Sequence, residues 1–253
     1  MYELVALRVA GWLRAVGGLA RFLSDVTRSL RDVATWTRLT VVQMRRIGVQ
    51  SLPIALFIAA FMGIVLALQS SYSLTGAVPL YFVGTLVGKT IMLELAPVLT
   101  GLALAGRVGA NIAAELGTMR VTEQVEALET LAYDPHAFLV VPRVIAATVM
   151  FPVVVALAMA LGVLSALITA VNLIDLSTVD FIKGLRLFYH FKDIWFGLVK
   201  SMSFGFLISL VGCLKGLNTA GGAEGVGRST TQAVVISAQM ILVLDAFWAV
   251  VLL

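Results

Sequence analysis

Four ionisable residues lie in stretches of sequence that are otherwise strongly apolar: Lys89, Glu94, Lys200 and Asp245. A charge inside a membrane is costly, so such a residue usually faces a cavity or meets an opposite charge. Glu94 lies near the middle of its stretch. It is either a structural hydrogen-bonding group or a polar group that faces a substrate cavity.

Lys200 and Asp245 are predicted to form an intramembrane ion pair, because they lie at similar depths. At 1.5 Å per residue, Lys200 is about 9 Å and Asp245 about 12 Å from the same side of the membrane. Their stretches are consecutive and joined by a short connection, which favours antiparallel neighbours. Opposite charges at one depth can neutralise one another. In the alternative, Lys200 extends to the outer headgroups and Asp245 takes a proton or another partner such as Lys89.

The remaining candidate groups predict neither catalysis nor a metal site. His136 and His190 are far apart in sequence, and Cys213 is the single cysteine. The stretch Gly222–Ser229 nearly matches the phosphate-binding G-x-x-x-x-G-K-[ST] loop, but Arg228 replaces the lysine and no soluble strand precedes it. We therefore expect no catalytic residue, metal or cofactor, and interpret residues 222–229 as a flexible loop.

The composition predicts an all-α integral membrane protein. Hydrophobic residues make up 60% and charged residues 13% of the 253 residues, whereas a soluble domain has about 25% charged residues. A helix that crosses a bilayer needs roughly 20 apolar residues. Five spans are predicted, over residues 52–72, 80–105, 138–174, 194–214 and 229–253, so that residues 51–253 form one polytopic domain.

Residues 1–50 form an Arg-rich segment with eight arginines and no lysine. Arginines at seven-residue spacing, with apolar residues between them, predict an amphipathic helix or helices in the membrane interface, or alternatively a solvated helix face. The first long apolar stretch begins only at Leu52, so we expect no secretory signal peptide. The excess of basic residues on one side predicts a cytoplasmic N-terminus, and an odd number of spans then places the C-terminus outside.

The second span is predicted to continue as a helix over Leu80–Gly117, about 57 Å long, against roughly 30 Å of hydrocarbon. Pro97 is expected to kink it. Small residues at every fourth position predict a ridge for close helix packing: Gly101, Ala105, Gly109, Ala113 and Gly117. Arg107, Asn111 and Glu115 form a polar stripe on the opposite face, which is either functional or simply faces water.

A short amphipathic helix is predicted over residues 122–132, on the cytoplasmic side. Thr122 can cap its N-terminus and Glu123 suits its first turn. Its apolar face consists of Val125, Leu128 and either Leu131 or Ala132. An apolar strip exposed in a loop favours docking to a cytoplasmic partner, although a plain connecting helix would show the same pattern.

Several sequence motifs in the middle of the chain are specific. They are Glu94-Leu-Ala-Pro-Val-Leu, Ala105-Gly-Arg-Val-Gly-Ala, the stretch Ala114–Leu128 and Tyr133-Asp-Pro135. With these motifs, the chain strongly resembles the MlaE/YrbE permease family, the membrane subunits of MCE-associated lipid ABC transporters. The resemblance extends to Leu66-Ala-Leu-Gln69 at the end of the first span and Arg228-Ser-Thr-Thr231 before the last.

The resemblance implies a permease subunit, not itself an enzyme, that forms a homodimer in the bacterial inner membrane. Its implied partners are cytoplasmic ABC ATPase subunits, a periplasmic ring of MCE-domain protein, a small STAS-like accessory subunit and a phospholipid substrate, with no nucleic acid. The 122–132 helix would be the coupling helix that enters the ATPase, through Thr122, Glu123, Gln124, Val125, Glu126, Leu128 and Leu131. The lipid cavity would be bordered by Leu66, Gln69, Tyr72, Glu94 and Pro97.

Two other functions fit the apolar composition. An ion-coupled secondary transporter could use Glu94, Lys89 or Asp245, but such transporters have internal repeats, and we find none in the sequence. A membrane scaffold without a transport path would have a tight uncharged seam and no polar cavity.

Overall fold

The computed structural model describes residues 17–18, 20–74, 79–187 and 190–252, and the regular structure in these ranges is helical throughout. Five helical runs in this part of the chain are long and apolar enough to cross a membrane: Thr35–Ser73, Phe82–Val121, His136–Leu173, Phe191–Leu217 and Gly222–Val251. Each overlaps one of the five predicted spans. The predicted all-α integral membrane fold is confirmed.

The first span continues directly from the Arg-rich segment. A helix over residues 20–29, which we label α1, precedes α2 (Val33–Ile47), a 3-10 turn (Val49–Ser51) and α3 (Leu52–Ser73). Trp36 and Met44 pack α2 against the central apolar cluster. Residues 1–16 and residue 19, which belong to the predicted interfacial segment, lie outside the described residues.

The second span is one continuous helical run that contains two π-helical turns. It consists of α4 (Phe82–Thr90), the turn Ile91–Leu95, α5 (Ala96–Leu104), the turn Ala105–Gly109 and α6 (Ala110–Val121). Pro97 lies in the first turn of α5, directly after the first π turn. At the proline where a kink was expected, the structure has a widened π-helical turn, and the helical run is not broken. The run extends to Val121.

The rest of the chain forms α7 (Gln124–Thr130), a π turn (His136–Val140), α8 (Val141–Leu173), α9 (Thr178–Leu187), α10 (Phe191–Leu217) and α11 (Gly222–Leu252). The prediction of a flexible loop over residues 222–229 is wrong, because α11 begins at Gly222. The connection to α10 is only residues 218–221, where Gly221 turns the chain at φ +92°.

Helix α9 was not predicted, and it packs against α4 on the side of the fold where α8 ends. A Cβ atom at Gly184 would lie 1.7 Å from the carbonyl oxygen of Tyr81, and one at Gly84 would lie 2.3 Å from that of Phe181. Only glycine allows two backbones to approach so closely.

Helix α8 is the centre of the bundle and contacts α2, α3 and α10. Two apolar clusters surround it. One includes Phe151, Phe204 and Ile208, and the other includes Ile91 and Phe181. Helix α11 is the least buried of the spans, with 11% of its most apolar stretch buried against 33–44% for the other four.

Candidate transport site and intramembrane ionic cluster

Lys200 is fully buried and contacts two carboxylates from two other helices. Its Nζ lies 2.7 Å from Oε2 of Glu94 and is also paired with Oδ1 of Asp245. It donates a third contact to the carbonyl oxygen of Leu93, at 3.3 Å. Two of these contacts are hydrogen bonds, to Glu94 and to Leu93, and the third is an ion pair with Asp245. The contact with Asp245 is the one inferred from matched depth.

The local sequence explains how Lys200 comes so close to the second span. Gly197, one turn earlier on α10, has no side chain, and a Cβ there would lie 2.4 Å from the carbonyl oxygen of Met92. An α-helix would direct the N–H of residue 97 to the carbonyl of Leu93, but Pro97 has no N–H. The lysine thus meets a carbonyl oxygen that lacks its usual α-helical donor.

A polar and aromatic contact holds α10 and α11 together beside this cluster. Nε1 of Trp248 donates to Oγ of Ser203 at 3.0 Å, and the rings of Trp248 and Phe196 meet edge to face with centroids 5.6 Å apart. Trp248 is one turn from Asp245 on α11. These contacts fix the register that brings Asp245 to Lys200.

An apolar groove of about 430 Å³ lies between α3 and α5. Its walls come from both spans: Phe57, Ile58, Phe61, Met62, Val65, Leu66, Gln69, Leu95 and Leu99. The amide of Gln69 is the one polar side chain among these lining residues. An open groove of this kind has the shape and the apolar walls to accommodate an elongated apolar molecule.

The structure brings together only part of the predicted lipid cavity. Leu66 and Gln69 line the groove, but Glu94 is held by Lys200 and is not among the lining residues. Pro97 is buried where α10 crosses the second span, and Tyr72 is 83% exposed near the end of α3. Glu94 is nevertheless accessible, since 42% of its side chain is exposed.

The small-residue ridge lies in the packed interior, against α10 and its neighbours. All five positions are buried: Gly101, Ala105, Gly109, Ala113 and Gly117. Cβ atoms at the three glycines would lie 3.1 Å from Phe204, 3.3 Å from Ile208 and 3.0 Å from Thr219, respectively.

The polar stripe opposite the ridge faces α2 and lines a cavity of about 350 Å³. Glu115 forms ion pairs with two arginines there, with Arg46 at 3.3 Å and with the buried Arg143 at 3.1 Å. Arg107 donates to the hydroxyl of Ser51. The stripe is therefore part of a network between helices and not simply a face exposed to water.

The predicted coupling helix exists, but its start and its apolar face differ from the prediction. Helix α7 begins at Gln124, and Thr122 does not cap it, because its hydroxyl donates back to the carbonyl of Thr118 at 2.9 Å. Glu123 is not in the first turn but precedes the helix in a left-handed conformation, φ +61°.

The apolar strip of α7 is mostly covered by the chain itself. Val125 is buried and Leu128 packs against the central cluster, whereas Leu131 is 68% exposed. The strip is therefore not exposed as predicted. Apart from Ala127 in the middle of α7, the exposed residues on this element are polar or lie at its ends: Thr122, Glu123, Gln124, Glu129, Thr130 and Leu131. Glu126 is half-buried and pairs with Arg120.

A polar contact joins α1 to the start of the third span. Oδ2 of Asp134 accepts a hydrogen bond from Ser29, and Oδ1 accepts one from the backbone N–H of His136 at 2.9 Å. Partial burial would raise the pKa of Asp134, but these hydrogen bonds and the nearby charge of His136 outweigh it and lower the pKa below its ordinary value of 3.8.

The arrangement is suited to binding. Among the described residues, no group of three or more His, Cys, Asp or Glu side chains could hold a metal ion. The chain offers a lateral apolar groove, a cluster of one lysine with two carboxylates and a polar cavity, all within a helical bundle.

Comparison with known proteins agrees with the resemblance seen in the motifs. Residues 40–251 match the model of a family described as permease MlaE. The chain is 39% identical over 239 residues to a probable ABC transporter permease protein of Rickettsia felis, covering 94% of this chain and 92% of that protein. It is 41% identical over 210 residues to one of Synechocystis sp., covering 83% and 80%.

A plant relative is also similar. The chloroplastic protein TRIGALACTOSYLDIACYLGLYCEROL 1 of Arabidopsis thaliana is 34% identical over 220 residues, which cover 87% of this chain and 63% of that protein.

Proposed function

The chain belongs to the MlaE permease family of ABC transporter permeases, and we propose that the molecule it transports is a phospholipid. An ABC transporter permease works with ATPase subunits, which supply the ATP hydrolysis. This permease provides the path through the membrane.

The observation that carries the proposal is the groove between α3 and α5. It is almost entirely apolar, and Phe57, Phe61 and Val65 on its α3 wall are 54–66% exposed. A water-soluble substrate would need polar groups to replace its hydration, which these walls do not offer. A lipid chain would bury the exposed aromatic and aliphatic side chains instead.

The Arabidopsis relative supports a lipid substrate, because its name contains that of a galactolipid, trigalactosyldiacylglycerol. For this chain we propose phospholipid, carried between the bacterial inner membrane and a conduit of MCE-domain protein outside it. The N-terminus would be cytoplasmic and the C-terminus periplasmic, as the distribution of basic residues favours.

We propose that the permease is a homodimer. The groove is open along its outer side, and α11 leaves most of its apolar surface uncovered, including Val243 and Phe247. A second copy would cover part of this surface and turn an open groove into an enclosed cavity. A small STAS-like subunit would bind on the cytoplasmic side, with the ATPases.

The ATPase contact is proposed to be the surface around α7, from Thr122 to Leu131. Helix α7 follows α6 without a long linker, and Val125 and Leu128 fasten it to the central cluster. A movement of α7 imposed by an ATPase would therefore be transmitted to the second span, which forms one wall of the groove.

The test is the amount of phospholipid that the purified complex retains, measured by mass spectrometry, together with transfer of a fluorescent phospholipid. Leu66→Gln places an amide in the groove, and we expect it to lower both quantities. Leu68→Gln is the matched control, since Leu68 is exposed on the same helix but does not line the groove. Equal retention and transfer in both variants would refute the groove as the lipid path.

Ion coupling has one observation in its favour, the cluster of Lys200, Glu94 and Asp245. Both carboxylates share Lys200 as their partner, however, and membership of an ABC family assigns the energy source to ATP. A pH gradient should therefore not drive lipid transfer in vesicles without ATP. Transfer under those conditions would favour ion coupling.

A further inference from the structure

We propose that the polar cavity between α2 and α6 binds the phosphate group of a phospholipid whose acyl chains lie in the groove between α3 and α5. This inference rests on the proposed lipid cargo and specifies which residues bind the headgroup.

The cavity has an excess of positive charge. Arg46 and Arg107 both line it, and the one acidic residue in its wall is Glu115. Glu115 is already compensated by Arg46 at 3.3 Å and by Arg143, which is 3% exposed, at 3.1 Å. Arg107 contacts only the neutral hydroxyl of Ser51 in the described part of the chain. Three arginines against one carboxylate leave a surplus that suits a phosphate, because the guanidinium group forms paired hydrogen bonds with it.

Neutral hydrogen-bonding groups complete the wall. Gln43, Gln50 and Asn111 line the cavity, and their side-chain amides have no partner among the described residues. An amide of this kind can donate to the phosphate or to the glycerol oxygens of a lipid.

The cavity and the groove lie along the same seam between two antiparallel spans. On the first span, the seven residues from Gln50 in the cavity to Phe57 in the groove cover about 10 Å. On the second, the eight residues from Arg107 to Leu99 cover about 12 Å in the opposite direction. On both spans, therefore, the polar cavity and the apolar groove are about equally far apart. A polar site followed by an apolar groove matches the amphipathic pattern of a phospholipid.

The position of the cavity along the membrane agrees with a headgroup. Arg46 is in the last turn of α2, directly before the uncharged residues of α3. Basic residues at the end of an apolar span lie at the level of the lipid headgroups.

Labelling of an introduced cysteine tests the proposal in the intact complex. Asn111→Cys places a thiol in the cavity, and the native Cys213 is fully buried, so the parent chain serves as the background. The rate of reaction with N-ethylmaleimide is measured with dioctanoyl phosphatidylglycerol, with dioctanoylglycerol and with inorganic phosphate. We expect only the phosphatidylglycerol to slow labelling, by several-fold.

Arginine variants then test the charge. Arg107→Gln in the Asn111→Cys chain should raise the phosphatidylglycerol concentration that gives half-protection by about tenfold, since a hydrogen bond to a charged group is lost. Arg45→Gln is the matched control, because Arg45 is exposed beside Arg46 but does not line the cavity. Equal shifts in the two variants would point to nonspecific surface charge and overturn the proposal.

The remaining outcomes separate this inference from the proposed function. Val65→Cys reports on the groove in the same assay. If phosphatidylglycerol protects position 65 but not position 111, the headgroup site is wrong and the lipid groove stands. If it protects neither, both are wrong. Protection of position 111 by inorganic phosphate alone, or equally by dioctanoylglycerol, would also overturn a phospholipid headgroup site.

Discussion

Replacing the fully buried Lys200 by methionine should destabilise the protein more than replacing an exposed lysine does. The substitution removes the positive charge and leaves the carboxylates of Glu94 and Asp245 without the partner that they share. Breaking a buried pair by removing one member costs about 3–5 kcal/mol. Glu94 is 42% exposed and can be solvated in part, so we expect the lower end of that range, about 3 kcal/mol.

Asp245→Leu should cost less, because Lys200 keeps Glu94 at 2.7 Å and the carbonyl of Leu93 at 3.3 Å. The lost charge-assisted contact is worth about 1.5–3 kcal/mol. The double variant loses the Lys200–Asp245 contact only once, so its total loss should fall short of the sum of the two single losses by about 1–2 kcal/mol.

The assay is reversible unfolding of the purified protein in mixed micelles with increasing SDS, followed by tryptophan fluorescence. Lys192→Met is the control, because Lys192 is exposed near the start of the same helix, and it should change stability by less than about 0.5 kcal/mol. Losses that add to within about 0.3–0.5 kcal/mol in the double variant would refute the energetic coupling of Lys200 with Asp245.

Leu131→Asp should reduce co-purification of the ATPase subunits while leaving the permease folded, since Leu131 is 68% exposed; undiminished co-purification would exclude it from the contact. Gly205→Ala should destabilise by about 1–3 kcal/mol, because its Cβ would lie 2.6 Å from a backbone carbonyl oxygen of α8. Gly106→Ala is the control, because a Cβ there would have nothing within 4 Å, and it should be neutral or stabilising by up to about 1 kcal/mol. Equal unfolding midpoints for the Gly205→Ala and Gly106→Ala variants would contradict the packing argument. Ser29→Ala should destabilise at pH 7 by removing a hydrogen bond to Asp134. A lowered pKa stabilises the fold above the ordinary value of 3.8 and loses this effect as pH falls below it, so the stability difference from the parent should shrink in acid, and a pH-independent difference would argue against it.

Hydropathy located the five spans but not their ends. The fourth helix begins at Phe191, three residues before the predicted 194, and the fifth begins at Gly222, seven before the predicted 229. Both extensions contain charged or small residues that lower the average hydropathy. They nevertheless remain helical, because helix formation extends beyond the apolar stretch that crosses the membrane.

The inaccurate positions of the helix ends also concealed the contact between Glu94 and Lys200. Counted from the predicted starts, Glu94 lies about 21 Å and Lys200 about 9 Å from the outer side. Counted from the observed starts at Phe82 and Phe191, the depths are about 18 Å and 14 Å, a gap that a lysine side chain spans. The signal that could have revealed the pair was a lysine with two acids in neighbouring spans.

Short elements were predicted less well than long ones. The ten residues of α9 were assigned to a connection, because its fold depends on glycine contacts with α4 that only the structure shows. On α7 the helical spacing of Val125 and Leu128 was correct. Periodicity identifies an apolar face, but it does not tell whether a partner or the chain's own core covers that face.

The three contacts of the ammonium group of Lys200 also have a mechanical consequence. They come from the second span and from α11, so one side chain on α10 links three helices at a single point. Sliding any of these helices by a single residue, about 1.5 Å, would break a contact of the fully buried Lys200. These three helices should therefore move as one rigid body when the transporter cycles, and the displacement that opens the groove must come from α3 moving against them.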